Sequence, residues 1–255
     1  MTEKAILVVS FGTSYKETRE RTITAIENSL QDAFREYKVY RAFTSRKIRQ
    51  KMEKEGVFVL DVKESLEQML LNGIKELFVQ PTYMINGREY DFLIEELQPY
   101  LHKFETIRCG QSLLACKEDY KELATIIGNA YPVEEDEVLV LMGHGSEHSM
   151  NGAYSNFEYV LHHMDYDNIL VGTMKGYPAF SEVKRKLKEK NAKKICLAPM
   201  MIVAGKHVNK DMIGEKDSWR AELEQEGYEV RYYRKGLGEL PGVQNMFIRH
   251  VRECF

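Results

Sequence analysis

Apolar residues along the chain gather in short runs rich in β-branched side chains, at 6–9, 38–43, 76–80, 106–110, 138–142, 169–173, 194–198 and 229–233. These runs are mostly apolar rather than strictly alternating, which is the pattern of parallel strands covered on both faces. Between them the spacing changes. Over 15–37 and 62–72 the apolar residues recur at helical intervals among charges, and Gly73 follows the second segment where a helix would end. This alternation predicts βαβ units with right-handed crossovers. The expected fold class is therefore α/β, with parallel sheets flanked by helices and ligand crevices at the carboxyl ends of the strands.

The chain also repeats itself. Ile6-Leu-Val-Val-Ser-Phe-Gly-Thr13 resembles Leu139-Val-Leu-Met-Gly-His-Gly-Ser146, and Pro81, Gly87 and Glu89 match Pro199, Gly205 and His207 at one constant offset. The repeat predicts two similar domains, 1–128 and 129–255, with a cleft between them. The boundary is expected where Gly128, Pro132 and an acidic run interrupt the pattern. A last helical segment over 242–254 is placed so that it can return to the first domain.

Composition narrows the class without naming a function. In 255 residues, 44% are hydrophobic and 29% charged, which excludes a disordered or fibrous chain. The net charge of −3 gives no reason to expect nucleic acid or a membrane surface as partner. Cys109, Cys116, Cys196 and Cys254 show neither C-x-x-C nor dense spacing, so they read as reduced thiols rather than as a disulfide framework or zinc ribbon. No apolar run is long enough to span a membrane, and the opening residues lack a cationic leader segment. A cytoplasmic protein is expected.

The repeat itself points to a site. Its matched positions just beyond strands are Phe11 with His144, and Glu89 with His207. Strand ends are where α/β sheets build sites. Imidazole nitrogen and carboxylate oxygen together suit a borderline divalent ion such as cobalt, iron, nickel or zinc, and neutral imidazole is also a competent base near pH 7. His144 stands between Gly143 and Gly145, which allow a tight turn and an open ring, although a turn histidine satisfied by backbone would look the same. Met84, Met200 and Met201 read as gap-filling core residues or as a soft wall for a flat ligand. Other motifs carry less. His144 and His148 lack the order of a zinc-protease motif, the glycines at 236–242 lack a preceding strand and helix start, and His162-His163 read as surface.

Taken together, Leu7-Val-Val-Ser-Phe-Gly-Thr-Ser14, Arg41-Ala-Phe-Thr-Ser45, Ile85-Asn-Gly with Glu89-Tyr90, Met142-Gly-His-Gly145, Val203-Ala-Gly with His207, Asn209 with Asp211-Met212, Asp217-Ser-Trp219 and Gly236-Leu-Gly-Glu239 form a recognisable set. On these residues the chain resembles the anaerobic cobalt chelatases (CbiK) of the class II, ferrochelatase-like superfamily, nearly end to end. The resemblance implies a bilobal α/β fold and insertion of Co2+ into sirohydrochlorin for cobamide synthesis, with Fe2+ as a second metal. It implies His144 as proton acceptor and metal ligand, His207 as metal ligand, and Glu89 as an aid to proton movement. For the tetrapyrrole it implies contacts from Ser10, Phe11, Tyr83, Met84, Met200, Met201 and Lys206. Arg41, Arg46, Arg88 and Lys210 are further candidates for the substrate's carboxylates. The partners implied are sirohydrochlorin and a divalent metal, with no permanently bound cofactor, and a homo-oligomer is compatible with the family. The family has members with a leader that act in the periplasm, so the opening residues favour the cytoplasmic branch.

One position departs from the family pattern. Within 171–178, Lys175 stands where the resemblance implies a glutamate as third metal ligand. An ammonium group has no lone pair and repels a cation. Three readings follow: Glu89 supplies the missing ligand, the metal is held by two histidines and water, or Lys175 pairs with a substrate carboxylate. A non-catalytic tetrapyrrole or metal carrier and an iron-inserting chelatase for sirohaem stand as alternative functions.

Overall fold

In the computed structural model, which describes residues 3–254, every apolar run is a strand. Met1, Thr2 and Phe255, at the ends of the two expected domains, lie outside the described residues. The strands are β1 (Lys4–Ser10), β2 (Lys38–Phe43), β3 (Glu76–Pro81), β4 (Thr106–Cys109), β5 (Glu137–Gly145), β6 (Ile169–Lys175), β7 (Lys194–Met200) and β8 (Glu229–Tyr232). They form two parallel four-stranded sheets, ordered β2-β1-β3-β4 and β6-β5-β7-β8. The continuous apolar runs have a direct cause: β1 from Ala5 onward and β7 from Ile195 onward are buried at every position, whereas the edge strands β4 and β8 keep exposed residues.

The helices follow the periodicity. The first segment is α1 (Lys16–Arg19), which passes through a π-helical turn at Glu20–Thr24 into α2 (Ala25–Ala33). Then come α3 (Arg46–Lys54), α4 (Val62–Leu71), α5 (Arg88–Leu97), α6 (Lys117–Ala130), α7 (Gly152–His163), α8 (Phe180–Glu189), α9 (Trp219–Gln225) and α10 (Pro241–Glu253). Helix α4 starts where the sequence asks it to, because Asp61 and Glu64 bond each other's backbone N–H in a capping box. Among the described residues no helix is long and apolar enough to cross a membrane.

Packing divides the chain into two units. The first comprises the residues up to Ala115 together with those from Pro241 onward, and the second is Cys116–Leu240. The boundary expected at 128/129 therefore falls inside α6. That helix belongs to the second unit, where the Tyr120 ring lies 6.3 Å from Phe157 of α7. In the first unit, Ala5, Leu7 and Val9 meet Val62, Leu66 and Met69 of α4 and Leu93 and Leu97 of α5. Helix α10 packs on α2 and β3 with Val243, Met246, Phe247 and Val251 fully buried. Ser29 Oγ donates to Gln244 Oε1 at 2.9 Å, and Arg108 Nη1 to the Cys254 carbonyl at 2.5 Å, which fasten the helix along its length. In the second unit Val140, Met142 and Leu197 pack with Val183 and Leu187 of α8 and with Trp219. The indole lies flat on Phe180, ring centroids 4.3 Å apart.

Because α10 fills the first unit's core, Phe247→Ala should remove a fully buried ring and cost about 3–5 kcal/mol of stability. Denaturant unfolding of the variant beside the wild type measures this directly.

Candidate functional site

In each sheet the winding reverses between the two central strands, since β1 borders both β2 and β3, and β5 borders both β6 and β7. Loops leaving neighbouring strands at such a point run in opposite directions and open a crevice at the carboxyl ends. In the second unit the predicted histidines belong to this region. His144 is at the end of β5 and His207 follows β7, and their rings lie 5.0 Å apart at 72°.

His144 stands on a tightly braced turn. Glycine is required on both sides of it. A Cβ on Gly143 would lie 2.4 Å from the Tyr154 ring, and one on Gly145 would lie 1.8 Å from the Lys175 carbonyl oxygen. Gly145 also has φ +69°, a left-handed conformation that side chains disfavour. Burial pushes the Tyr154 phenol up to about 12, opposed by a hydrogen bond with the Gly145 backbone, so the ring beneath the turn is a neutral wall. Beyond the turn, Ser146 N–H donates to Asn151 Oδ1 at 2.7 Å, and Asn151 Nδ2 donates to the Tyr177 carbonyl at 2.6 Å. Asn151 thereby ties the His144 loop to the loop after β6. The imidazole itself is exposed.

Both histidines have Nδ1 engaged. His144 Nδ1 is 2.9 Å from the Gly145 carbonyl, which can only accept, so this nitrogen carries the proton. His207 Nδ1 is 2.7 Å from Asp211 Oδ2 at the i,i+4 position. His207 N-caps a π-helical turn, Val208–Met212, which contains Asp211. Such turns are frequent at functional sites. In each neutral ring the lone pair therefore resides on Nε2. Two imidazoles with basic Nε2 atoms in one crevice can bind a divalent cation transiently or accept protons. Among the described residues, no three His, Cys, Asp or Glu side chains gather into a metal-holding cluster, so the pair differs from a closed structural site.

The first unit holds Glu89, Tyr83, Met84, Phe11 and Ser10. Glu89, in the first turn of α5, accepts a hydrogen bond from Thr44 Oγ1 at 3.3 Å. It borders a surface cavity of about 510 Å3 lined also by Arg49, Asp61, Glu95 and Glu96. Arg49 bridges Asp61 at 2.8 Å and Glu64 at 3.3 Å. Burial raises the Glu96 carboxyl above its ordinary range, and the Asp61 charge adds to this. Tyr83 is buried, and desolvation followed by the Glu89 charge holds its hydroxyl neutral far above the usual tyrosine range. Phe11 is 52% exposed beyond β1 and Met84 is half-buried.

Several predicted ligand contacts are otherwise occupied. Ser10 is buried, with its hydroxyl 2.7 Å from Thr82 Oγ1, so it ties β1 to the segment after β3. Met200 is fully buried and Met201 belongs to the second unit's core, so both pack against neighbouring side chains. Arg41 is committed to Glu27 and Thr24. Arg46, Arg88, Lys206 and Lys210 are exposed. Lys175 ends β6 in register with Gly145, with its side chain exposed. Sequence reasoning gave no role to Asp211, Asn151 or Tyr154. A carboxylate at helical spacing after His207 was the available signal for the first, whereas the other two act across loops with no periodic mark.

A family model described as "Cobalt chelatase (CbiK)" matches residues 4–255. The chain is 31% identical to the sirohydrochlorin cobaltochelatase of Salmonella typhimurium, over 99% of this chain and 96% of that protein. It is 26% identical to the sirohydrochlorin cobaltochelatase CbiKC of Nitratidesulfovibrio vulgaris, over 98% of this chain and 90% of that protein. Among solved structures, SirB from Bacillus subtilis with Fe3+ superposes with a TM-score of 0.65 at 16% identity, covering 98% of this chain and 95% of that one. DR2241 from Deinococcus radiodurans, a multi-domain protein with structural similarity to chelatases, gives 0.63 at 15% identity, covering 98% and 54%. These two likenesses concern the fold.

The braced turn yields a sharp expectation. Gly145→Ala should destabilise the protein by more than about 2 kcal/mol, since the left-handed strain is joined by overlap with a backbone carbonyl that cannot rotate away. A thermal melt beside the wild type checks it.

Proposed function

This chain belongs to the cobalt chelatase (CbiK) family, and from that membership we propose that it inserts Co2+ into sirohydrochlorin in anaerobic cobalamin biosynthesis. The observation that carries the reading is the His144–His207 pair at the reversal between β5 and β7, each ring with Nδ1 tied to an oxygen. The reaction asks little covalent chemistry of the protein. Co2+ sheds water and enters the macrocycle, two pyrrolic N–H bonds break, and two protons leave for a base and then solvent. A base and a transient ligand on one face of the ring suffice, provided that both are positioned in advance.

In this reading His144 Nε2 accepts a pyrrolic proton and His207 Nε2 holds the incoming ion. The donor set favours release over storage, because two imidazoles and water bind a divalent ion less tightly than a closed four-ligand cage. Lys175 cannot coordinate, and its exposed ammonium suits a carboxylate of the tetrapyrrole instead. Lys206 and Lys210, exposed beside His207, are suited to the same task. Fe2+ accepts the same donors and is a second substrate metal in this scheme.

An anaerobic absorbance assay of sirohydrochlorin with Co2+ should show many turnovers per protein molecule. A stoichiometric spectral change without turnover would overturn the enzymatic reading in favour of a carrier. His144→Ala should lower the insertion rate by roughly 10²- to 10⁴-fold, the usual worth of a positioned proton acceptor, with an unchanged melt. Lys175→Glu should strengthen Co2+ binding in calorimetry, because it adds a carboxylate where a like charge stood.

A further inference from the structure

The two histidines are oriented by different means. His144 Nδ1 is tied to the carbonyl of the next residue, which no substitution removes, whereas His207 Nδ1 depends on the side chain of Asp211. The His207 side chain is 44% exposed and Asp211 31%, so little packing restrains the ring. An exposed pair of this kind contributes little to stability. It does fix chemistry. A carboxylate behind an imidazole sets its tautomer and fixes its rotation. The π-helical turn Val208–Met212 contains Asp211 and is N-capped by His207, so ligand and carboxylate are carried on one short stretch of backbone.

We propose that Asp211 is a positioning residue: it holds His207 as the Nδ1–H tautomer, with the Nε2 lone pair directed into the crevice beside His144 for the incoming ion. The identity of that ion rests on the chelatase reading above. The tautomer does not, because it is a property of the metal-free protein. Asp211 touches neither metal nor tetrapyrrole in this scheme and acts only through His207.

The test measures the two separately. Imidazole ¹⁵N NMR of the metal-free wild type should show His207 protonated at Nδ1, and Asp211→Ala should move the proton to Nε2. In the insertion assay the KM for Co2+ should rise roughly 10- to 100-fold in Asp211→Ala, the range found when carboxylates behind metal-binding histidines are removed. The KM for sirohydrochlorin should hold, and Asp211→Glu should restore part of the loss. Asp211→Asn, nearly isosteric, serves if the alanine variant does not fold; it keeps an oxygen acceptor but not the charge, and should raise the same KM by less. An Nε2–H tautomer in the wild type, or an unchanged cobalt KM in both the alanine and asparagine variants, overturns the proposal. Full activity in His207→Ala would instead overturn the role given to His207, while the NMR result would still report on what Asp211 does.

Discussion

The parallel pairing of β5 with β7, with Gly143 opposite Met200, is the constraint on which the site depends. Register brings the ends of both strands to one level, and the reversal of winding sends their loops apart. Any residue just beyond either strand then faces the same opening. His144 and His207 meet for this reason, although α7, β6, α8 and β7 intervene between them in sequence. The buried strands supply the rigidity: a position defined by a sheet is held more closely than one defined by a loop.

Around that constraint the protein spends backbone more than side chains. Gly143 admits the Tyr154 ring, Gly145 admits the Lys175 carbonyl, and Gly145 oxygen turns the imidazole. The first unit uses the same plan with different chemistry. Gly12 has φ +95° just beyond β1, as Gly145 is left-handed at the end of β5, but the residue before it is the exposed Phe11 rather than a histidine. Glu89 likewise takes the place of His207. One scaffold thus carries apolar and acidic groups in one copy and paired imidazoles in the other.

The fold was legible because parallel strands covered by helices must be apolar at nearly every position, and all eight runs became strands. The histidines were legible because the repeat aligned them with strand ends. What escaped depends on contacts between segments far apart in sequence. The membership of α6 is decided by Tyr120 against Phe157, and Arg41 is taken by a glutamate on α2. Ser10 looked available at a strand end, but its neighbour across the sheet carries a hydroxyl that matches it. Met200 and Met201 had two readings that only burial separates. Asp211 was visible as a motif residue, yet its meaning lies in which nitrogen it meets.

Helix α10 has a consequence for how the chain matures. The first unit is discontinuous: its core stays open at Val243, Met246 and Phe247 until residues that follow the entire second unit have been made. Domains ordinarily fold as units in order of emergence from the ribosome. Here the second unit, uninterrupted from Cys116 to Leu240, is the first to have all of its parts. The earlier-made sheet therefore keeps apolar surface uncovered until a helix translated later reaches it.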